Sequence, residues 1–189
     1  MSNMVIDNLF STPIYKTSLD FKKEKMIGYA LKSKQINMGR MLSNSGGWQS
    51  NPLIDKIDLF DDILEHVNKF SQQLNIKTIQ KFNQIWLNIN EYKDFNTPHI
   101  HLNALFSGVL YLKTNKDSGK LVFNHGNNHF NHCWDNIDVI KNDNNNSPSY
   151  EFIPQDCDLY IFPAWAEHYV EPNLSDEQRI SLSFDTVGE

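Results

Sequence analysis

The stretch Arg179-Ile180-Ser181-Leu182-Ser183-Phe184 alternates without a break between polar and apolar side chains. A period of two belongs to a β-strand, whose successive side chains point to opposite faces. Ile180, Leu182 and Phe184 therefore share an apolar face, and Arg179, Ser181 and Ser183 a polar one. The same pattern runs through Ile85-Trp86-Leu87-Asn88-Ile89-Asn90. There Trp86, Asn88 and Asn90 lie together opposite the three aliphatics. An indole among those polar groups is a poor neighbour for bulk water, so both polar faces read as walls of an interior cavity. A guanidinium in such a cavity suits recognition of a carboxylate, with the Ser181 hydroxyl as an added donor.

Further strands are predicted at 98–103, 105–113, 120–124 and 158–163. Two helices precede them, at 20–33 and 52–74. The second shows an apolar stripe of Leu53, Ile57, Phe60, Leu64, Val67 and Phe70, with Asn51 as N-cap and Pro52 at the first helical position. Helices followed by many short strands predict an α+β, mainly β domain. Its expected form is an antiparallel sandwich or jelly roll with the N-terminal helices packed on one sheet. The 189 residues suit a single domain, 1–189, helical over about 1–75 and β over about 76–189. Residues 125–149, rich in Asn and His, read as a polar flap.

Charge narrows the partners. A net charge of −6 argues against a protein that grips a nucleic-acid backbone. No apolar run is long enough to span a membrane, and the N-terminus shows no signal-peptide pattern. Cys133 and Cys157, without a secretion signal, are expected as reduced thiols, which fits a cytoplasmic protein.

Metal chemistry enters with His99 and His101. Two residues apart on a strand, their imidazoles would project to the same side, where they suit iron, zinc, copper or nickel. His168 follows a distant apolar strand. Two ligands from one strand and a third from another make a facial three-ligand site with open positions for substrate or oxygen. Trp48, Trp86, Tyr92 and Tyr111 are candidates for the pocket wall or for packing, and Trp165 for packing at the core or rim.

The order HxH, a distant His and RxS resembles the 2-oxoglutarate/iron(II)-dependent oxygenases, and in particular the family of that class found in marine bacteria and their phages. The matching pieces are Phe10-Ser11-Thr12-Pro13-Ile14-Tyr15, Ser45-Gly46-Gly47-Trp48-Gln49-Ser50, Trp86-Leu87-Asn88 leading to His99-Ile100-His101, Ser107-Gly108-Val109-Leu110-Tyr111-Leu112, Phe162-Pro163-Ala164-Trp165 leading to His168, and Arg179-Ile180-Ser181. The resemblance implies a double-stranded β-helix, a jelly roll of cupin-like form. It also implies an Fe(II) centre that uses 2-oxoglutarate and O2 to hydroxylate a small-molecule or peptide substrate, and it leaves a homo-oligomer open. His99, His101 and His168 match the metal ligands and catalytic centre. Arg179 and Ser181 match the grip on the far carboxylate of 2-oxoglutarate, with Asn90 and then Asn88 as further cosubstrate contacts. The sequence departs from the pattern twice. The broader superfamily has a carboxylate at the position of His101, and three neutral imidazoles leave the charge of the metal unoffset. Cys157 stands where the family tends to have a turn glycine, so that turn is expected to differ.

Three other readings compete with this one. A cupin-like metal protein of different chemistry lacks its acid in Leu102-Asn103-Ala104-Leu105-Phe106 and gives Arg179 no task. A zinc site of His125, His129, His132 and Cys133 fits no closed structural spacing. A non-catalytic binding module on the same fold has no reason to keep the three histidines together with Arg179.

Overall fold

The computed structural model describes residues 5–53, 57–127, 129, 133–134 and 137–189. Its strands are β1 (Tyr15–Ser18), β2 (Asn44–Ser45), β3 (Trp48–Gln49), β4 (Gln80–Asn90), β5 (Phe95–His99), β6 (Phe106–Lys113), β7 (Leu121–Asn124), β8 (Ser149–Phe152), β9 (Asp158–Pro163), β10 (His168–Val170) and β11 (Arg179–Gly188). Two helices, α1 (Lys23–Ile36) and α2 (Asp58–Gln73), flank the short strands β2 and β3. The strands form two sheets, a six-stranded one in the order β1-β9-β6-β11-β4-β3 and a five-stranded one in the order β2-β5-β10-β7-β8. The strand pairs are antiparallel throughout, so a mainly β jelly roll with helices on one sheet is the architecture.

The six-stranded sheet is apolar on its outer face because the period-two pattern puts Leu87, Ile89, Leu110, Leu182 and Phe184 there, under Ile63, Val67 and Phe70 of α2 and Met26 and Ala30 of α1. The opposite face looks between the sheets. It carries a smaller apolar cluster at one side, including Val109, Tyr160 and Phe162 against Leu121 and Phe123. The remaining space between the sheets is lined by polar residues of β4 and β11. In register, Arg179 faces Asn90, Ser181 faces Asn88, Ser183 faces Trp86 and Asp185 faces Gln84. The cavity walls predicted from alternation are thus one continuous surface.

Several predicted boundaries move for identifiable reasons. Helix α2 begins at Asp58, so Asn51 is not its cap and Pro52 is not helical. The backbone N–H groups of Ser50 and Leu53 bond instead to the carbonyls of Leu87 and Ile85, and that segment runs along β4. The apolar stripe of α2 consequently passes through the fully buried Ile63, while Leu64 is only half-buried. Helix α1 lies three residues later than predicted. The predicted strand at 98–103 stops at His99, because the chain turns through Asn103, whose φ is 61°.

Gly46 and Gly47 carry the chain from β2 in one sheet to β3 in the other, at φ values of 68° and 63°. A Cβ at Gly47 would stand 2.8 Å from Nδ2 of Asn90, so the crossing needs both glycine conformation and glycine size. Trp48, just after it, packs in the core with its indole N–H donated to the Asn37 carbonyl, and it does not line the cavity. Tyr92 and Trp165 are exposed. Cys133 and Cys157 are both free. Cys157 adopts the left-handed conformation at φ 68°, so the turn keeps the glycine geometry without the glycine. No helix of the described residues is long and apolar enough to cross a membrane.

Candidate functional site

His99 ends β5 and His168 begins β10, and the two strands pair with these residues directly opposite. Their ring centroids are 4.4 Å apart. His101 lies beyond the end of β5, so alternation along a strand does not place it. Its backbone N–H bonds to the Ala164 carbonyl, and its ring reaches Asp185 with Nδ1 2.8 Å from the carboxylate Oδ1. The result is still convergence. One ring nitrogen from each of His99, His101 and His168 lies within 4.8 Å of the other two, and among the described residues this is the group placed to hold a metal ion.

The hydrogen bonds also fix which nitrogen is free. His99 Nδ1 is 2.7 Å from the Thr97 carbonyl oxygen and His168 Nδ1 is 3.0 Å from that of Ala166. A carbonyl only accepts, so both Nδ1 atoms carry the proton and both Nε2 atoms keep a lone pair. His101 donates its Nδ1–H to a carboxylate in the same way. Three imidazoles each held at Nδ1 and open at Nε2 form a donor set suited to a borderline divalent ion. Burial, helped by the neighbouring rings, pushes His168 down to about 3. Burial likewise lowers His99. Both are therefore neutral, as ligation requires. Trp86 stacks on the His101 ring at 5.9 Å and Phe162 packs on His168 at 4.5 Å, which restrains both rings.

The cavity beside the histidines is lined by Arg179, Ser181, Asn88 and Asn90, so each cosubstrate residue expected from the sequence reaches it. Arg179 is 2% exposed. Its Nη1 donates to the carbonyls of Ser118 and Glu171, which anchors the guanidinium plane. Among the described residues its Nη2 has no hydrogen-bond partner, and neither has the buried hydroxyl of Tyr111 on the adjoining strand β6. Burial lowers the Arg179 pKa from its ordinary value, yet a guanidinium remains charged in a protein. Burial raises the Tyr111 phenol, which keeps it protonated and able to donate. Two idle donors and a buried positive charge at one end of a cavity are costly unless an anion completes them. Asn88 meanwhile donates to Ser183 at 3.0 Å and Ser181 at 3.4 Å, which holds that wall in place.

Sequence reasoning missed two members of this site. Tyr111 was a candidate for the wall only, whereas its hydroxyl is one of the idle donors. Asp185 continues the polar face of Arg179, Ser181 and Ser183 by one further step of two, and that continuation is the signal that points to it. Its carboxylate is 2% exposed and accepts hydrogen bonds from His101, from Ser107 at 2.6 Å and from Gln84 at 2.7 Å. Burial works to raise its pKa, but these donors outweigh it and hold the carboxyl below its ordinary value. The alternative zinc site is not assembled in the described residues: His125, His129 and Cys133 are exposed, and His132 lies outside them.

Residues 84–185 match the family model described as "Putative 2OG-Fe(II) oxygenase". No curated protein sequence matches the chain. Among solved structures, a prolyl hydroxylase from Trichoplax adhaerens in complex with a hypoxia-inducible-factor peptide fragment is similar at 12% identity, with a TM-score of 0.67 over 95% of this chain and 84% of that one. The viral collagen prolyl hydroxylase of Paramecium Bursaria Chlorella virus-1, in its 2OG complex, gives 11% identity and a TM-score of 0.61, covering 92% of this chain and 94% of that one. HygX from Streptomyces hygroscopicus, with nickel and 2-oxoglutarate bound, gives 8% identity and a TM-score of 0.64, covering 94% and 84%. At these identities the structural likeness bears on the fold.

Proposed function

Since the chain belongs to the 2OG-Fe(II) oxygenase family, and so uses Fe(II), 2-oxoglutarate and O2, we propose that its working centre is His99, His101 and His168 for the iron, with Arg179 and Tyr111 for the far carboxylate of 2-oxoglutarate. One observation carries this reading. Arg179 Nη2 and the Tyr111 hydroxyl are buried and without partners among the described residues, and both side chains line the same cavity as the three histidines.

Bound there, Fe(II) supplies the oxygen-activating chemistry, coupled to decarboxylation of 2-oxoglutarate to succinate and hydroxylation of a C–H bond. The chain supplies position and polarity. The histidines, held at Nδ1, present Nε2 without rearrangement. Arg179, fixed by two backbone carbonyls through Nη1, offers Nη2 as a charge-assisted donor, and Tyr111 adds a second. Ser181 adds a hydroxyl, and Asn88 and Asn90 complete the polar wall. Trp86 and Phe162 limit water around the imidazoles.

The substrate in this reading is a small molecule or peptide side chain, in line with the acidic net charge of −6. The free thiols of Cys133 and Cys157 suit a reducing, cytoplasmic setting. One shared apolar cluster joins both helices to the six-stranded sheet, which supports a single domain over 1–189. The test is an anaerobic titration of the Fe(II) protein with 2-oxoglutarate, followed by succinate assay in air. A visible charge-transfer band and Fe(II)-dependent succinate are expected, and both are lost in His168→Ala. Absence of the band in the wild-type protein would overturn the cosubstrate assignment.

A further inference from the structure

We propose that Asp185 is a positioning residue of the metal centre: it holds His101 through Nδ1 and places a negative charge directly behind that imidazole. The inference rests on the reading of His101 as a ligand. Among the described residues, the buried Asp185 carboxylate has no lysine or arginine at ion-pair distance. Asp185 is 2% exposed, and its partners besides His101 are the neutral groups Ser107 and Gln84. Both sit opposite Asp185 on the two neighbouring strands, β6 and β4. The nearest arginine, Arg40, acts one step away, with Nη2 3.5 Å from Gln84 Oε1, which turns the amide N–H of Gln84 toward Asp185. A buried charge arranged in this way is expensive in isolation.

It has a use once a divalent ion is present. Three imidazoles bring no charge to the ion, and they offset none of its two positive units. A carboxylate accepting the Nδ1–H of a ligating histidine fixes its tautomer and ring orientation and makes Nε2 a better donor. Among the three histidines, the other two give their Nδ1–H to backbone carbonyls, which are neutral. His101 alone has a carboxylate behind it. Because His101 lies past the end of β5, it also depends most on that bond. Trp86 on one ring face and Asp185 at the ring edge together set its direction.

The experiment is calorimetric titration of the metal-free, full-length protein with Co(II) under anaerobic conditions. Asp185→Asn is expected to weaken Co(II) binding by about 10–100-fold, the usual range for such a partner. A second background separates this role from a merely structural one. In His101→Ala there is no imidazole for Asp185 to hold, so adding Asp185→Asn should change Co(II) binding far less than it does in the wild type. Equal Co(II) affinity in wild type and Asp185→Asn, or the same loss in both backgrounds, overturns the proposal. Wild-type affinity in His101→Ala would instead remove the ligand reading on which it rests. Should the Asp185 variants not fold, nitrogen-15 spectra of the wild-type protein with Zn(II) decide. The proton is expected on His101 Nδ1 and the metal-induced shift on Nε2, and the opposite assignment overturns the proposal.

Discussion

Gly119 lies against Arg179: a Cβ built at residue 119 would stand 2.8 Å from Nη1 of the guanidinium. The same nitrogen is held by the carbonyls of Ser118 and Glu171. The glycine also has a φ of 87°, where other residues are strained. Gly119→Ala should therefore displace Arg179 and weaken 2-oxoglutarate binding by roughly 10–100-fold, the loss of one charge-assisted hydrogen bond. Gly126→Ala, with nothing within 4 Å of the new Cβ, is the control and should bind normally. Comparing the two by titration of the cosubstrate checks the expectation.

Tyr111→Phe is expected to separate binding from folding. It removes a buried hydroxyl that has no partner, so the metal-free protein should unfold at the same temperature or higher. The thermal shift produced by adding 2-oxoglutarate to the metal-loaded protein should shrink. Co(II) affinity without cosubstrate should not change. A lower melting temperature without cosubstrate would mean that the hydroxyl has a structural partner.

Cys157→Gly should stabilise the fold. The turn at Cys157 is left-handed at φ 68°, and its backbone bonds, from Cys157 N–H to the Tyr111 carbonyl and from Leu19 N–H to the Cys157 carbonyl, need no side chain. Relief of left-handed strain is worth about 1–2 kcal/mol, less up to about 1 kcal/mol for the freer unfolded chain. A rise in melting temperature of roughly 2–4 °C per net kcal/mol is the expected readout.

Leu182→Ala tests the shared core. Leu182 is fully buried between β4 and β6 beneath the helices, so truncation should cost about 2–5 kcal/mol in denaturant unfolding. Ser183→Ala, one residue on and facing the cavity, removes only the hydroxyl that accepts from Asn88, and should cost no more than about 1.5 kcal/mol.

Acid should loosen the contact between β1 and α2. The Tyr15 hydroxyl is 2.8 Å from His66 Nδ1. Burial, followed by the charge of Lys69, holds the His66 pKa below 6.5. As pH falls through 6.5 the unfolded chain takes up a proton that the folded one does not, so stability declines until the folded pKa is reached. In His66→Gln the melting temperature should vary less between pH 7 and pH 5.

The polar face of β11 was legible because a period of two needs no partner to be seen, and it correctly implied a cavity wall. Asp185 belongs to the same face, but strict alternation ends there, because Thr186 is polar as well. What joins Asp185 to His101 is a loop after β5, and no periodicity reports a loop. The start of α2 failed for a related reason: Asn51-Pro52 is good local helix-start chemistry, yet pairing of Ser50 and Leu53 with β4 outweighed it. Strands β1, β8 and β10, at three or four residues, are too short to show alternation. Tyr111 was visible as an aromatic on a strand, but that its hydroxyl lacks a partner depends on packing alone.

The division of the site between layers has a further consequence. His99 and His168 belong to the five-stranded sheet and Arg179 to the six-stranded one. A cosubstrate gripped at both ends acts as a reversible cross-link through the middle of the protein. On the proposed assignment, the short strands around the histidines are expected to open less readily once the cosubstrate is bound. Supply of 2-oxoglutarate is then expected to lengthen survival under a protease, apart from how fast the chain turns over.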